Sequence, residues 1–212
     1  MDGDPKLARL LEHPAIWRGR SAARLPVLPS GFAALDEQLP GCGWPRTGLI
    51  EILTARFGSG ELRLLLPALA SLTRAATARW CVWVTPPLMP FAPALVSGGI
   101  RLDRVAVVGG ARALWAFEQV LGSGACDAAL AWARRPRPRE IRRLQLAAER
   151  GRTLGVLFRP LSAAREASPA VLRLGLTALA TGVRVTLLKG RGATRGTIEL
   201  AWPESRSARS GS

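Results

Sequence analysis

Residues 49–62, which read LIEILTARFGSGEL, decide the fold of this chain. The apolar run 49–53 predicts a buried strand, because it is short, rich in isoleucine and leucine, and followed by a turn signal. Two glycines mark the loop after it, and residues 61–78 then carry an apolar helix pattern with Pro67 as a kink. A strand, a glycine-containing loop and a helix in this order are the setting of a P-loop, whose pattern is GxxxxGK[ST].

The loop lacks the groups with which a P-loop binds Mg-ATP. Gly60 stands at the second glycine, but Ala55 replaces the first, Glu61 replaces the lysine and Leu62 replaces the hydroxyl residue. A carboxylate at the lysine position repels the β and γ phosphates, and leucine cannot coordinate Mg²⁺. We therefore expect a degenerate P-loop with no bound cofactor. Gly58 and Gly60 then serve a tight turn, which leaves open only weak anion binding.

Two further ATPase groups are missing where the pattern would place them. The fourth predicted strand, residues 127–133, ends in Trp132 at the position of the Mg²⁺-organising carboxylate, while Asp127 starts that strand at the opposite edge. The second predicted strand, residues 80–85, leads into Pro86, and proline cannot act as a base. Three independent absences predict a protein that is not an enzyme, and no other catalytic set is apparent in the sequence.

The middle of the chain alternates short apolar strands with helix patterns. This alternation predicts an α/β fold with a mostly parallel central sheet flanked by helices. The remaining strands are predicted at residues 104–108, 153–158, 183–188 and 197–202. Helices are predicted at residues 31–39, 94–96, 111–121, 140–150 and 169–180, with Ser168 capping the last. Four of the tryptophans, at positions 44, 83, 115 and 132, are predicted to lie in the core.

Length and composition favour one soluble domain. The chain has 212 residues and is 48% hydrophobic, which suffices for one α/β core. No apolar run reaches the ~20 residues that span a bilayer, and the first residues do not form a signal-peptide pattern. We therefore expect a cytoplasmic protein with no membrane partner. Cys42, Cys81, Cys126 and His13 are too scattered to predict a metal site.

The predicted organisation is a leader, a core and a tail. Residues 1–27 form the leader, in which Leu7, Leu10 and Leu11 share one face of a short helix and Trp17 follows before an extended linker. These four side chains are candidate protein contacts, either with the chain's own core or with another copy or partner. Residues 28–203 form the core, and residues 204–212 form a disordered basic tail.

The net charge of +15 indicates an acidic partner such as nucleic acid, although an arginine-rich composition is also typical of a GC-rich genome. The densest basic run follows the fourth strand, where Pro136 and Pro138 keep the chain extended. A second basic group lies in a glycine-rich segment read as a hairpin turn. Arginine suits bidentate phosphate contacts, so the candidate contacts with DNA or an acidic partner are Arg134, Arg135, Arg137, Arg139, Arg142, Arg143, Lys189, Arg191 and Arg195.

Residues 29–36, which read PSGFAALD, are followed by Leu39, Gly41, Gly43, Pro45, Gly48, Ile50 and Glu51. This order and spacing resemble the entry to the RecA core immediately before its P-loop, with Cys42 in place of a usual glycine. Within that superfamily, residues 14–202 look most like the ImuA family. The further pointers are HPAIWRG at 13–19, GRTLGVLFR at 151–159 and LKGRG at 188–192.

The resemblance implies a RecA-like core that lacks ATPase motifs and serves translesion DNA synthesis and mutagenesis in the SOS response. Its implied partners are an ImuB-like homologue of Y-family polymerases and, through that complex, an error-prone C-family polymerase. RecA, DNA or a second copy are further partners that it leaves open. ImuA-like proteins are also similar to SulA, so the alternative is a SulA-type division inhibitor that binds the tubulin-like division protein.

Overall fold

The computed structural model describes residues 27–58, 60–190 and 196–202. Strands β1 to β5 are Val27–Leu28, Trp44–Pro45, Gly48–Thr54, Trp80–Val84 and Val105–Val108. Strands β6 to β10 are Cys126–Trp132, Leu154–Pro160, Leu172–Ala178, Gly182–Gly190 and Thr197–Ala201. Helices α1 to α5 are Ala33–Asp36, Leu66–Arg74, Ala92–Ser97, Ala113–Gly122 and Pro138–Gly151, and 3₁₀ turns cover Leu102–Arg104 and Leu161–Arg165.

One eight-stranded sheet organises the described residues, in the order β10-β9-β8-β3-β7-β6-β4-β5. The strands from β8 to β5 in that order are parallel, whereas β9 and β10 add an antiparallel edge. The central strand β3 is buried along its whole length, which explains its continuous apolar run. The carboxyl ends of β3, β4, β6 and β7 therefore meet at one edge of the sheet.

Helices cover both faces of this sheet. Helix α2 places Leu69 and Leu72 against the face that holds Trp44 and Trp83. Helices α4 and α5 cover the other face with a second group of apolar side chains, including Phe117. The prediction of a mixed α/β fold with a large, mostly parallel sheet flanked by helices is thus confirmed.

The helix predicted at residues 169–180 is wrong, because this segment forms β8, parallel to β3. Leu172, Leu174 and Leu176 alternate along it and are all buried, which is the period of two expected of a strand. Arg173 obscured this alternation, since an arginine in a core strand is rare. Here it is buried because its Nε donates to the Glu51 carboxylate at 2.6 Å.

The long helix predicted at residues 61–78 is also wrong in extent, because α2 spans only Leu66–Arg74. Pro67 lies in the first turn of α2, where a missing N–H costs nothing. A helix continuing back from there would bring the proline ring against the carbonyl of Arg63, so residues 61–65 form turns instead. The other predicted helices shift by one or more residues at their ends.

Candidate functional site

The loop between β3 and α2 is the candidate site, at the carboxyl edge of the sheet. It contains the residues of the degenerate P-loop, Ala55, Gly58, Gly60, Glu61 and Leu62. Gly58 and Gly60 have φ of 81° and 100°, a backbone region that side chains disfavour. Because α2 begins only at Leu66, the loop glycines do not sit against a helix N-terminus as they do in a P-loop.

Glu61 is buried within this loop and bonds to the loop's own backbone. Its Oε1 accepts the Gly58 N–H at 2.7 Å and the Trp132 indole N–H at 3.4 Å. In a P-loop, such backbone N–H groups bind phosphate. The sequence predicted a carboxylate that repels phosphate. The geometry adds that this carboxylate already accepts the Gly58 N–H, a donor that a bound anion would need.

Trp132 lies at the carboxyl end of β6, the position at which the sequence predicted a missing acid. Its ring stacks on Phe158 of the neighbouring β7, with centroids 4.8 Å apart and planes at 17°. Asp127 lies near the opposite end of β6, where its carboxylate pairs with Arg79 at 3.0 Å. The carboxylate that contacts Trp132 at this end of β6 is that of Glu61, which the loop already holds.

The proline-rich loop after β4 forms the other wall of the site. Together with Gly58, Gly60, Glu61, Leu62 and Trp132, residues 86–91 line a cleft of about 220 Å³. The side chains of Leu88, Met89 and Phe91 are respectively 69%, 81% and 71% exposed. Exposed apolar groups beside a cleft are typical of a contact surface. The sequence signal for it was the absence of any polar residue in PPLMPF.

The arginine run after β6 begins beside the candidate loop and continues along α5. Arg134, Arg135, Arg137, Arg139, Arg142 and Arg143 are all exposed. The Arg134 guanidinium lies over the Phe57 ring at 5.6 Å, which brings the start of the run to the candidate loop. Arg143 on α5 pairs with Glu118 at 2.7 Å. Arg142, also on α5, faces a separate groove.

The second basic group and the leader are only partly described. Lys189 belongs to β9 rather than to a hairpin turn, and its Nζ donates to the Ser168 carbonyl at 2.6 Å. Burial, with Arg173 nearby, lowers the pKa of Lys189. Ser168 caps no helix, since the segment after it forms β8. Arg191 and Arg195 lie outside the described residues, as do Leu7, Leu10, Leu11 and Trp17 of the leader, so these contacts stay predictions.

The core prediction for the tryptophans is wrong for Trp115. Trp44, Trp83 and Trp132 are buried, but Trp115 on α4 is half exposed. The Arg112 guanidinium covers one face of its ring at 4.5 Å, and a cation over an indole is a favourable contact at an exposed site. Trp115 belongs to the helix that covers β4 and β6.

Among the described residues, no three His, Cys, Asp or Glu side chains are placed to share a metal ion. Within the same part of the chain, none of the helices has both the length and the apolar character to cross a bilayer.

Comparison with known proteins shows similarity to SulA over part of the chain. The chain is 32% identical over 117 residues to the cell division inhibitor SulA of Photorhabdus laumondii subsp. laumondii, a match covering 54% of this chain. The match spans 65% of that curated relative. Among solved structures, SulA from Pseudomonas aeruginosa has a TM-score of 0.45 and 23% identity, with 52% of this chain and 97% of that chain covered. No protein-family model matches the chain.

Proposed function

We propose that this chain is a non-catalytic protein of the SOS response that acts by binding a protein partner at the carboxyl edge of its sheet. The observation that carries the proposal is the Glu61 carboxylate, which accepts the Gly58 N–H inside the degenerate P-loop. A site that binds its own carboxylate there is unsuited to the phosphates of ATP. The same edge presents exposed apolar groups, which suit contact with a protein.

The composition of this edge agrees with a protein interface. Interface cores are enriched in aromatic residues, methionine and arginine. Here Met89 and Phe91 stand exposed beside the cleft, and Arg134 lies over Phe57 at its rim. Burial of two such apolar side chains contributes about 1.5–3 kcal/mol each.

We further infer that the sheet is a RecA-like core. Residues 29–51 lead into the central strand β3, which begins at Gly48, in the order that the resemblance requires, and a glycine loop follows β3. Helices on both faces of a largely parallel sheet support the same inference.

The first candidate partner is the tubulin-like division protein, to which a SulA-type inhibitor would bind. The identity of 32% to a cell division inhibitor supports this reading. It favours the division reading over the mutagenesis reading, which rests on the sequence resemblance to ImuA alone.

The second candidate partner is an ImuB-like homologue of Y-family polymerases, with an error-prone C-family polymerase reached through that complex. The observation that favours it is the exposed arginine run that begins beside the candidate loop at Arg134. A protein that works in a complex on DNA gains from guanidinium groups that can contact phosphates. The match to SulA covers 54% of this chain, so a role that differs from that of SulA is compatible with it.

The deciding experiment is a pull-down of the purified full chain with the two candidate partners from the same genome, at low and at high salt. Retention of the division protein alone supports the inhibitor, and retention of the polymerase-like protein alone supports the mutagenesis accessory. Phe91→Asp should abolish retention, because it places a charge in the apolar surface.

The matched control is Val107→Asp, which adds the same charge at an exposed valine of the edge strand β5. Equal loss with both variants, or retention of neither partner by the wild-type chain, would contradict the proposal. A calorimetric titration with Mg-ATP should give no binding heat, and micromolar binding would contradict the non-catalytic reading.

A further inference from the structure

A second concave surface lies between α5, β1, β2 and the segment that leads into β8. This groove has a volume of about 580 Å³, within the range of ligand-binding clefts. Its apolar side chains, here called the floor, include Val27, Leu146 and Val171, and its charged side chains, here called the rim, include Arg46, Arg142 and Lys189. It is distinct from the cleft at the carboxyl edge, with which it shares no residue.

The floor of the groove is apolar where α5 would be expected to be polar. Leu146 is 52% exposed, and on the helix it lies one turn from Arg142 and from Glu149. Val171, from the segment before β8, is 36% exposed. A single exposed leucine needs no explanation, but apolar side chains that meet in one groove indicate a contact surface.

The rim of the groove carries positive charge that nearby acids do not neutralise. Within the described part of the chain, neither Arg46 nor Arg142 has an ion pair. Lys189 donates to a backbone carbonyl, that of Ser168. The one acid of the rim, Glu149, already accepts the Gln145 amide N–H at 2.7 Å. Burial and then the nearby Arg173 lower the pKa of Lys189, and the Glu51 carboxylate offsets only part of this effect.

We propose that this groove binds an acidic segment of a partner protein. Large apolar side chains of that segment would pack against Leu146 and Val171, and its carboxylates would pair with Arg46, Arg142 and Lys189. The inference rests on the proposed function, since it describes the chemistry of a protein partner. The lining favours a peptide over single-stranded nucleic acid. Bases stack on aromatic side chains, and the groove lining contains none.

The test uses the full chain and a defined probe. The probe is a fluorescein-labelled amphipathic peptide with leucines at helical spacing and glutamates between them, and its binding is followed by fluorescence anisotropy at physiological salt. Leu146→Asp and Arg142→Glu should each weaken binding at least tenfold, which corresponds to about 1.4 kcal/mol.

Arg150→Glu is the matched control, because it makes the same charge change two turns later on α5 and does not line the groove. It should change affinity by less than about threefold, the size of a screened surface charge effect. Thermal melting of each variant checks that the fold is intact.

Equal weakening by Arg150→Glu and Arg142→Glu would overturn the proposal, because binding would then reflect net charge alone. The proposal would also be overturned in favour of nucleic acid if a labelled oligothymidylate bound more tightly than the peptide and if the groove variants abolished that binding. The pull-down repeated with Arg142→Glu separates the two proposals. Partner retention with loss of peptide binding would leave the proposed function standing and remove the groove from it.

Discussion

The buried ion network around Glu51 allows a prediction whose size follows from the structure. Glu51 on β3 is 0% exposed. It accepts Arg159 Nη1 at 3.1 Å through Oε1 and Arg173 Nε at 2.6 Å through Oε2. Glu51→Gln keeps the shape of the side chain but removes the charge, so two buried guanidinium groups lose their shared anion.

Removing one partner of a buried ion pair costs about 3–5 kcal/mol. The lower end applies here, because both cations keep other acceptors. Arg159 still pairs with Glu166 at 2.6 Å, and Arg173 still donates to the carbonyls of Ala163, Ala164 and Glu166. We therefore expect a loss of about 3 kcal/mol in the free energy of unfolding, or roughly 6–12 °C in Tm for a domain of this size.

The assay is urea unfolding followed by tryptophan fluorescence, in which the midpoint should fall without a change in slope. The matched control is Glu199→Gln, which makes the same change in the exposed pair Arg184–Glu199, where the atoms are 2.6 Å apart. Exposed pairs contribute about 0–1 kcal/mol. A loss for Glu51→Gln within about 1 kcal/mol of that control would refute the view that the network supports the fold.

Three further changes have expected outcomes. Gly151→Ala should lower Tm by several degrees, although alanine favours helices, because the new Cβ would lie 2.0 Å from the Leu121 carbonyl oxygen. The control is Gly109→Ala, which should leave Tm unchanged because a Cβ at Gly109 would have no atom within 4 Å. Cys42→Gly should raise the free energy of unfolding by up to about 1 kcal/mol, because Cys42 holds φ at 64°, and an unchanged midpoint in urea would contradict this. Burial raises the pKa of Cys81 from 9.0 to about 12, so the unfolded thiol ionises first and stability should fall as the pH rises from about 9 towards 12. In Cys81→Ala, the free energy of unfolding measured across that pH range should fall less steeply with pH than in the wild-type chain.

The sequence allowed the parallel strands β3 to β7 to be predicted because each of them is a short apolar run. The same rule failed for β8. Arg173 breaks its apolar pattern, and the partner that allows an arginine in the core, Glu51, is distant in the chain. Long-range pairing of buried charges leaves no local signal, so the local pattern predicts a helix capped by Ser168 instead.

The candidate site was predictable in what it lacks and not in how its residues are arranged. The replacement of the P-loop lysine by Glu61 was evident from the spacing alone. That Glu61 turns back to the Gly58 N–H depends on where α2 begins, which Pro67 determines. The groove at α5 was not predicted at all, because its floor joins Leu146 to Val27 and Val171, which only the tertiary fold brings together.

The carboxylate held in the loop after β3 has a consequence for regulation. Proteins that bind ATP or GTP change state when hydrolysis removes a phosphate and releases the loops that it ordered. Here the anion at Gly58 is a side chain of the same loop and cannot depart. Under the proposed non-catalytic function, no hydrolysis step would release a partner bound at this edge. The lifetime of any complex formed at this edge would depend on dissociation rate and on how much of the protein the cell makes and destroys.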